Sequence, residues 1–272
     1  MSEKKPVKSN LPPLLSEHEI TSTLNNLKQN GLSGDETLSL DKSRFIKEAQ
    51  EYGIQIVTSI DELSVANFEG SVLITENIGK NSRITVRGGG IAVLGEIEYG
   101  VMIDVNDKVL IKTAVGNSSS NLGITVVGKI GDHVRLNCTS NIIIQDAGEF
   151  VQLRTGGAIK AGNIGAGANL IARDSIEICN VEDDLRSTHF VNQFKAKNIG
   201  KRSIVKAGNI IVDDIGSGSE LIASYHIEAD YIAENCVVTA RSISVTSIAE
   251  GVELNAAMGI SDRASSDQRK TL

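Results

Sequence analysis

Apolar residues recur at a nearly fixed spacing through the C-terminal two thirds of the chain. Segments beginning at Ile142, Ile159, Ile210 and Ile243 carry apolar or small residues at offsets 0, 2, 5, 9, 11 and 13. Such self-similarity is typical of stacked repeat architectures. Extending the template gives starts 16 to 19 residues apart, at Leu73, Ala92, Val109, Thr125, Ile142, Ile159, Ile176, Phe194, Ile210, Ile227, Ile243 and Ile260.

The template predicts short strands on a three-sided coil. Offsets 0 and 2, and then 9, 11 and 13, alternate with period two, so each set turns one face inward. Offset 5 is a lone inward residue on the third side. The residue after it is often a glycine, which we interpret as a residue that permits a sharp corner. These glycines are Gly79, Gly131, Gly165, Gly200 and Gly216.

These features predict an all-β protein, a single-stranded three-sided parallel β-helix (a β-solenoid) of about eleven coils. One coil cannot bury its own core, whereas stacked coils bury a continuous one. Aromatic residues are only 3% of the chain, which suits a narrow interior. The usual crossover hand of parallel strands favours a right-handed coil, although some triangular solenoids with short coils wind the other way.

The chain divides into four regions by composition. Residues 1–15 are polar and rich in proline, and we expect a flexible tail. Residues 16–70 form a predicted helical N-terminal cap region, and residues 71–260 form the β-solenoid. Residues 261–272 are polar, and we expect a short disordered tail.

The cap region carries two helix patterns. One begins at Ser16 with the form of a capping box, and the other begins at Asp41 or Ser43 and ends at Gly53. We expect the second helix to cover the open first coil, because an exposed coil leaves unpaired strand edges. Residues 54–70 fit either a short helix or an irregular first coil.

Two segments interrupt the template. Residues 117–121 place serine at inward offsets of the coil that starts at Val109, which predicts a bulging loop. The coil that starts at Ile176 is interrupted by the chain's one local concentration of acids, a base and a histidine. If this site is catalytic, the histidine could serve as a general base in a groove. The candidate catalytic residues are Asp183, Asp184, Arg186 and His189.

Charge and composition limit the partners. The net charge of −7 and the scarcity of aromatic residues argue against nucleic acid. No apolar run is long enough for membrane insertion, and the N-terminal lysines lack the apolar core of a signal peptide. We therefore expect a cytoplasmic protein.

Few residues suggest a cofactor or a metal. Cys138 and Cys236 fall at inward offsets, which predicts reduced core thiols, whereas Cys179 lies near a corner. No histidine pairs with another histidine or a cysteine at metal-ligand spacing. The glycine run 88–90 lacks the lysine and hydroxyl ending of a phosphate loop. We expect neither a cofactor nor a metal.

Further acids are expected to stack on neighbouring coils. Asp213 and Asp214 adjoin Glu228 and Asp230, and Asp213 and Asp230 share offset 3. Paired carboxylates can perform glycoside hydrolysis. A solubilising outer face is the alternative interpretation of the same residues.

Two stretches resemble bacterial β-solenoids. Residues 161–178 and 207–245 are similar to coils of the bactofilins, a cytoskeletal family, and of flagellar-assembly-type polymerase-like β-solenoid proteins. The resemblance is one of coil pattern and covers about residues 73–260. It implies a non-catalytic scaffold that binds no nucleotide and polymerises end to end. This chain departs from the bactofilin pattern by its larger number of coils and its helical N-terminal region.

The leading functional hypothesis is a structural scaffold that self-associates, C-terminal coil to C-terminal coil, or presents a rigid surface to a protein partner. An alternative is an enzyme or ligand-binding β-helix with a site near residues 182–194, either carbohydrate-active or similar to the hexapeptide acyltransferases, which residues 164–170 resemble. A secreted effector or adhesin-like module is a third. The residues expected to mediate self-association are Ile243, Val245, Val252, Leu254 and Ile260.

Overall fold

Strands form wherever apolar residues alternate with polar ones. The computed structural model describes residues 42–51, 53–106 and 123–262. Within these ranges one helix, α1 (Lys42–Glu51), precedes twenty strands. The strands are β1 (Gln55–Val57), β2 (Val65–Glu69), β3 (Val72–Ile74), β4 (Arg83–Arg87), β5 (Ile91–Val93), β6 (Met102–Asn106), β7 (Ile124–Ile130), β8 (Arg135–Cys138), β9 (Ile142–Ala147), β10 (Gln152–Thr155), β11 (Ile159–Ile164), β12 (Asn169–Ile171), β13 (Ser175–Val181), β14 (Arg186–Ile199), β15 (Ile204–Ile215), β16 (Glu220–Ile232), β17 (Val237–Ala240), β18 (Ser242–Ile248), β19 (Glu253–Ala256) and β20 (Ile260–Asp262).

All of the strand pairs are parallel, and each strand pairs with strands one coil away. The first side of the coil runs from β1 and β3 to β18 and β20, and a second runs from β2 and β4 to β17 and β19. A third, narrow side carries single bridges such as Ile60 to Ile78. The fold is thus a parallel β-solenoid of about eleven coils, and the predicted fold class is confirmed.

The core is a continuous aliphatic column. One inward residue from each coil after the first stacks on the next along the first side, and almost all are fully buried. The single aromatic ring in this row is Phe194, which agrees with a narrow interior. The row is Val72, Ile91, Ile124, Ile142, Ile159, Ile176, Phe194, Ile210, Ile227 and Ile243.

The predicted register is right from Ile142 onward; in the earlier segments it is right at offsets 5 to 13 and wrong by one residue at offsets 0 and 2. Leu73 and Ala92 point outward, whereas the residues on either side of them face the core. Every residue of β3 and β5 is buried. Both faces of these strands are therefore apolar, and alternation cannot show which face is inward.

The outward apolar residues are explained by α1. Ala49 of the helix and Ile54 after it form a separate buried cluster with Leu73, Ala92 and Leu94 on the outside of the solenoid. The predicted second helix is present. The expectation that it covers the open end of the first coil is wrong, because it packs on the outer flank. The other predicted helix and the tail at residues 1–15 lie outside the described residues.

Residues 54–70 form the first coil. β1 pairs with β3, and β2 pairs with β4, in the same register as later coils. The solenoid therefore begins before the expected boundary at residue 71. At the other end β20 extends to Asp262, and the rest of the predicted tail lies outside the described residues.

The coil expected at Val109 is not part of the stack. β5 pairs directly with β7, and β6 pairs directly with β8. Since no coil fits between paired strands, residues 91–123 contribute one coil with an insertion. Residues 107–122, which include the predicted loop, lie outside the described residues.

One corner of every coil turns through a left-handed residue. The backbone N–H group of every such residue except Gly251 donates to a backbone carbonyl on the next coil, with N···O distances of 2.8 to 3.4 Å. The ladder holds the corners together along the whole rod. These left-handed corner residues are Leu63, Asn81, Gly100, His133, Phe150, Gly167, Asp184, Arg202, Gly218, Asn235 and Gly251.

The glycines after offset 5 serve another purpose than the predicted one. None of the five has a positive φ. They are small because the backbone of the preceding coil is very close. A Cβ at Gly79 would lie 2.5 Å from the backbone nitrogen of Glu62, and one at Gly216 would lie 2.6 Å from the carbonyl carbon of Gly200.

Candidate functional site

The last described coil has no following coil among the described residues. β19 pairs only with β17, and β20 pairs only with β18. Each therefore has one strand edge with no partner strand in the described part of the chain. Ile248 and Ile260 are 50% and 52% exposed, whereas the equivalent Ile232 and Ile243 one coil earlier are buried. This end combines unpaired edges with exposed core positions.

Polar groups surround the apolar centre of this end. The Asn255 amide donates to the Glu253 carboxylate over 2.9 Å, and the hydroxyls of Ser244 and Ser261 lie 2.7 Å apart. Such an apolar patch with a polar rim is typical of protein interfaces.

Three of the five predicted self-association residues lie at this end. Ile260 is half exposed, and Val252 and Leu254 are half-buried against the core. Ile243 and Val245 lie one layer deeper, because β20 pairs over them. Ile248 belongs to the end but was not among the predicted residues, although it occupies offset 5 of the last template.

The acids of the interrupted coil lie at the corner. The Asp183 carboxylate accepts the backbone N–H of Lys201 over 2.8 Å. Asp184 adopts the left-handed conformation, with φ of 59°. The Arg202 guanidinium donates to its carboxylate from Nε over 3.1 Å and from the terminal nitrogen over 2.8 Å. These hydrogen bonds, with the charges of Arg202 and Arg186, lower the pKa of Asp184 against a weaker opposing effect of burial.

The remaining candidate residues lie along β14. Leu185 and Ser187 keep the inward pattern, and the register with β15 shifts between Ser187 and Val191. The interruption is therefore a β-bulge, in which His189 is exposed. Five residues of extended chain, about 15 Å, separate His189 from Asp184. The structure does not gather the four candidate catalytic residues into one groove.

Asp214 takes part in a ladder of polar side chains on the outside of the first side. The Asn163 amide donates to Asp146 over 2.8 Å, Asn180 donates to Asn163 over 2.8 Å, and Asn198 donates to Asn180 over 2.6 Å. Asp214 follows on the next coil. Its carboxylate thus lies at the end of a ladder that spans five coils.

The cysteines occupy the predicted environments. Cys138 and Cys236 are buried, and Cys179 is half-buried. Burial raises the pKa of the Cys236 thiol, although backbone hydrogen bonds oppose the shift. These features favour unreactive core thiols at the two buried positions.

Searches for similar proteins find no match to this chain among protein-family models, curated proteins or solved structures. Within residues 42–51, 53–106 and 123–262, no helix is long and apolar enough to cross a membrane. The same ranges contain no group of three or more histidine, cysteine, aspartate or glutamate side chains arranged to hold a metal ion.

Proposed function

We propose that this protein is a non-catalytic structural rod that associates with a second copy through its C-terminal coil. The open C-terminal end carries the proposal, because it joins unpaired strand edges to exposed core positions. Unpaired edges of this kind invite pairing with another chain. About eleven coils at a spacing of about 4.8 Å give a rod of roughly 50 Å, so a tail-to-tail pair would span roughly 100 Å.

The occupant proposed for this end is an identical end. The chain continues for ten residues after Asp262, and only Ala264 and Leu272 among them are apolar. Because this segment is mostly polar, it is poorly suited to cover Ile248, Val252 and Ile260. A second copy offers a matching apolar centre and a matching rim.

A two-fold axis perpendicular to the rod would bring the two ends together. Such an interface is isologous, with the same residues on both sides. The facing edges would run antiparallel, and antiparallel edges form well-aligned hydrogen bonds. Association then stops at two copies unless the other ends also pair.

The two ends of the solenoid differ, which supports a dimer over an open filament. Inward residues Ile60 and Phe68 of the first coil are only 9% and 8% exposed. Ile248 and Ile260 of the last coil are about half exposed. The bactofilin-like coil pattern belongs to this proposal as well, but among the described residues the core positions are buried in the first coil and exposed in the last.

Charged substitutions at the two ends test the proposal. Ile248→Lys places an ammonium group at the proposed interface, and its half-exposed position leaves the folded monomer intact. Val65→Lys is the matched control, because Val65 lies on the first coil and is 73% exposed. Light scattering should show a dimer for the control and a monomer for Ile248→Lys. Equal masses for the two variants would refute this interface.

A further inference from the structure

Three rings stack on the outside of the left-handed corner. The ring centroids of Tyr99 and His133 are 5.1 Å apart, and those of His133 and Phe150 are also 5.1 Å apart. Tyr99 and Phe150 are 47% and 50% exposed. The Phe150 ring also covers Gly167, where a Cβ would collide with it. We refer to Tyr99, His133 and Phe150 as the aromatic strip.

The strip is held in an unfavourable backbone conformation. His133 and Phe150 have φ values of 58° and 54°, a region that large side chains rarely adopt. The corresponding corner residue is glycine at positions 100 and 167. The backbone ladder holds every corner in this conformation, and at these two corners it places a large ring on the outside of the rod.

Three acidic residues adjoin the strip. Glu98, Asp132 and Glu149 each precede a ring residue in the sequence. None of the three has a lysine, arginine or histidine within salt-bridge distance in the described ranges. Further along the same corner, Asp184 is paired with Arg202. Asp184 therefore has a cationic partner at this corner, whereas the acids beside the rings have none in the described ranges.

Exposed rings beside carboxylates without a cationic partner form a surface for lysine or arginine side chains, although the Asp132 carboxylate also accepts the backbone N–H of Glu149 over 2.8 Å. The ammonium group lies over a ring face through a cation–π interaction, and the carboxylates add ion pairs. Proline also packs well on aromatic rings. The best-matched segment of this chain is residues 4–8, which contain three lysines, one proline and no acid.

We propose that the lysine-rich N-terminal segment, residues 4–8, docks on the aromatic strip of its own chain. Residues 9–41 connect this segment to α1. Even as continuous helix these 33 residues would span about 50 Å, which is the length of the whole rod. A connection of this length can therefore reach the strip, and in the proposed docking the N-terminal segment covers the rings.

Limited trypsin digestion of the full chain tests the docking. The Lys8–Ser9 bond lies beside the docked segment, and the Lys270–Thr271 bond near the other terminus is the internal control. We expect a variant with Tyr99→Ser and Phe150→Ser to be cleaved after Lys8 about fivefold faster than the wild type, the effect of losing two exposed cation–π contacts. Cleavage after Lys270 should not change.

An unchanged rate of cleavage after Lys8 would overturn the proposal. If the first variant is cleaved faster at both bonds, loss of the rings has affected more than the N-terminal segment. A second variant, with Glu98→Gln and Glu149→Gln, keeps the rings and then decides the question. A selective increase after Lys8, of about twofold, supports docking, and no increase overturns it. Protection that is lost on dilution would show that the segment comes from a second copy, and so would also overturn docking within one chain.

Discussion

Asn198 and Asp214 occupy the same outward position on neighbouring coils, and no donor hydrogen lies between their side chains. The Asn198 amide nitrogen donates to Asn180, and its other amide atom lies 3.2 Å from the Asp214 carboxylate. Asp146 and Asp214 only accept at the two ends of the ladder. The three amides between them provide one donor each along the ladder, for four contacts. Rotating an amide by 180° moves the contact without a donor to another place in the ladder but does not add a donor.

The substitution Asp214→Asn should therefore stabilise the protein. It provides the fourth donor, and a satisfied hydrogen bond contributes about 1 kcal/mol to the free energy of unfolding. Asp213→Asn is the matched control, because this neighbouring exposed residue makes the same change of charge outside the ladder. Urea denaturation should show a gain for Asp214→Asn alone. Equal gains would assign the effect to charge.

The pair of Asp184 and Arg202 should make stability depend on pH in acid. Arg202 lowers the pKa of Asp184 in the folded protein, so the unfolded chain binds this proton more readily. The pair therefore stabilises the fold above the unfolded pKa of about 4, and its contribution is lost as the pH falls through the folded value. Arg202→Gln removes the partner. Its thermal midpoint should lie below that of the wild type at neutral pH and approach it at pH values below about 4. A gap that widens in acid would contradict the assigned pair.

The register of the early coils can be tested at two adjacent residues. Val126 faces the core and is 2% exposed, whereas Thr125 points outward. Val126→Lys buries an unpaired ammonium group and should prevent folding at room temperature. Thr125→Lys can extend its chain into solvent, and we expect a loss within about 1 kcal/mol. Circular dichroism during denaturation measures both. The opposite order of stability would restore the sequence-based register.

The coils from Ile142 onward could be predicted from the sequence because their inward residues are aliphatic and most of their outward neighbours are polar. That contrast is absent at Leu73 and Ala92, where α1 makes the outer face apolar as well. Around Val109 an apolar alternation imitates a coil. Only the pairing of β5 with β7 shows that no coil is there.

The corners were beyond sequence reasoning. Left-handed positions usually select glycine or asparagine, yet here they include Leu63, His133, Phe150 and Arg202. No residue type marks them, because the ladder of hydrogen bonds between coils fixes the conformation. The aromatic strip was missed for this reason, since its three residues come together only when the corners stack.

The last coil was predictable as a location, because the repeat template does not continue beyond Ile260. Its composition was only partly predictable. Whether Ile243 or Ile248 is exposed depends on how far the last turn continues, and β20 covers Ile243 but not Ile248. The repeat length alone does not determine the residue at which the last strand ends.

The mass of the full chain in solution tests the central proposal most directly. The chain has a mass of 28.9 kDa, and light scattering across a dilution series would measure the mass of the particle. Self-association through one end predicts a particle of twice the chain mass, with no larger species as the concentration rises. A particle of 28.9 kDa at every concentration would contradict the proposal, and a mass that grows without limit would replace the dimer with a filament.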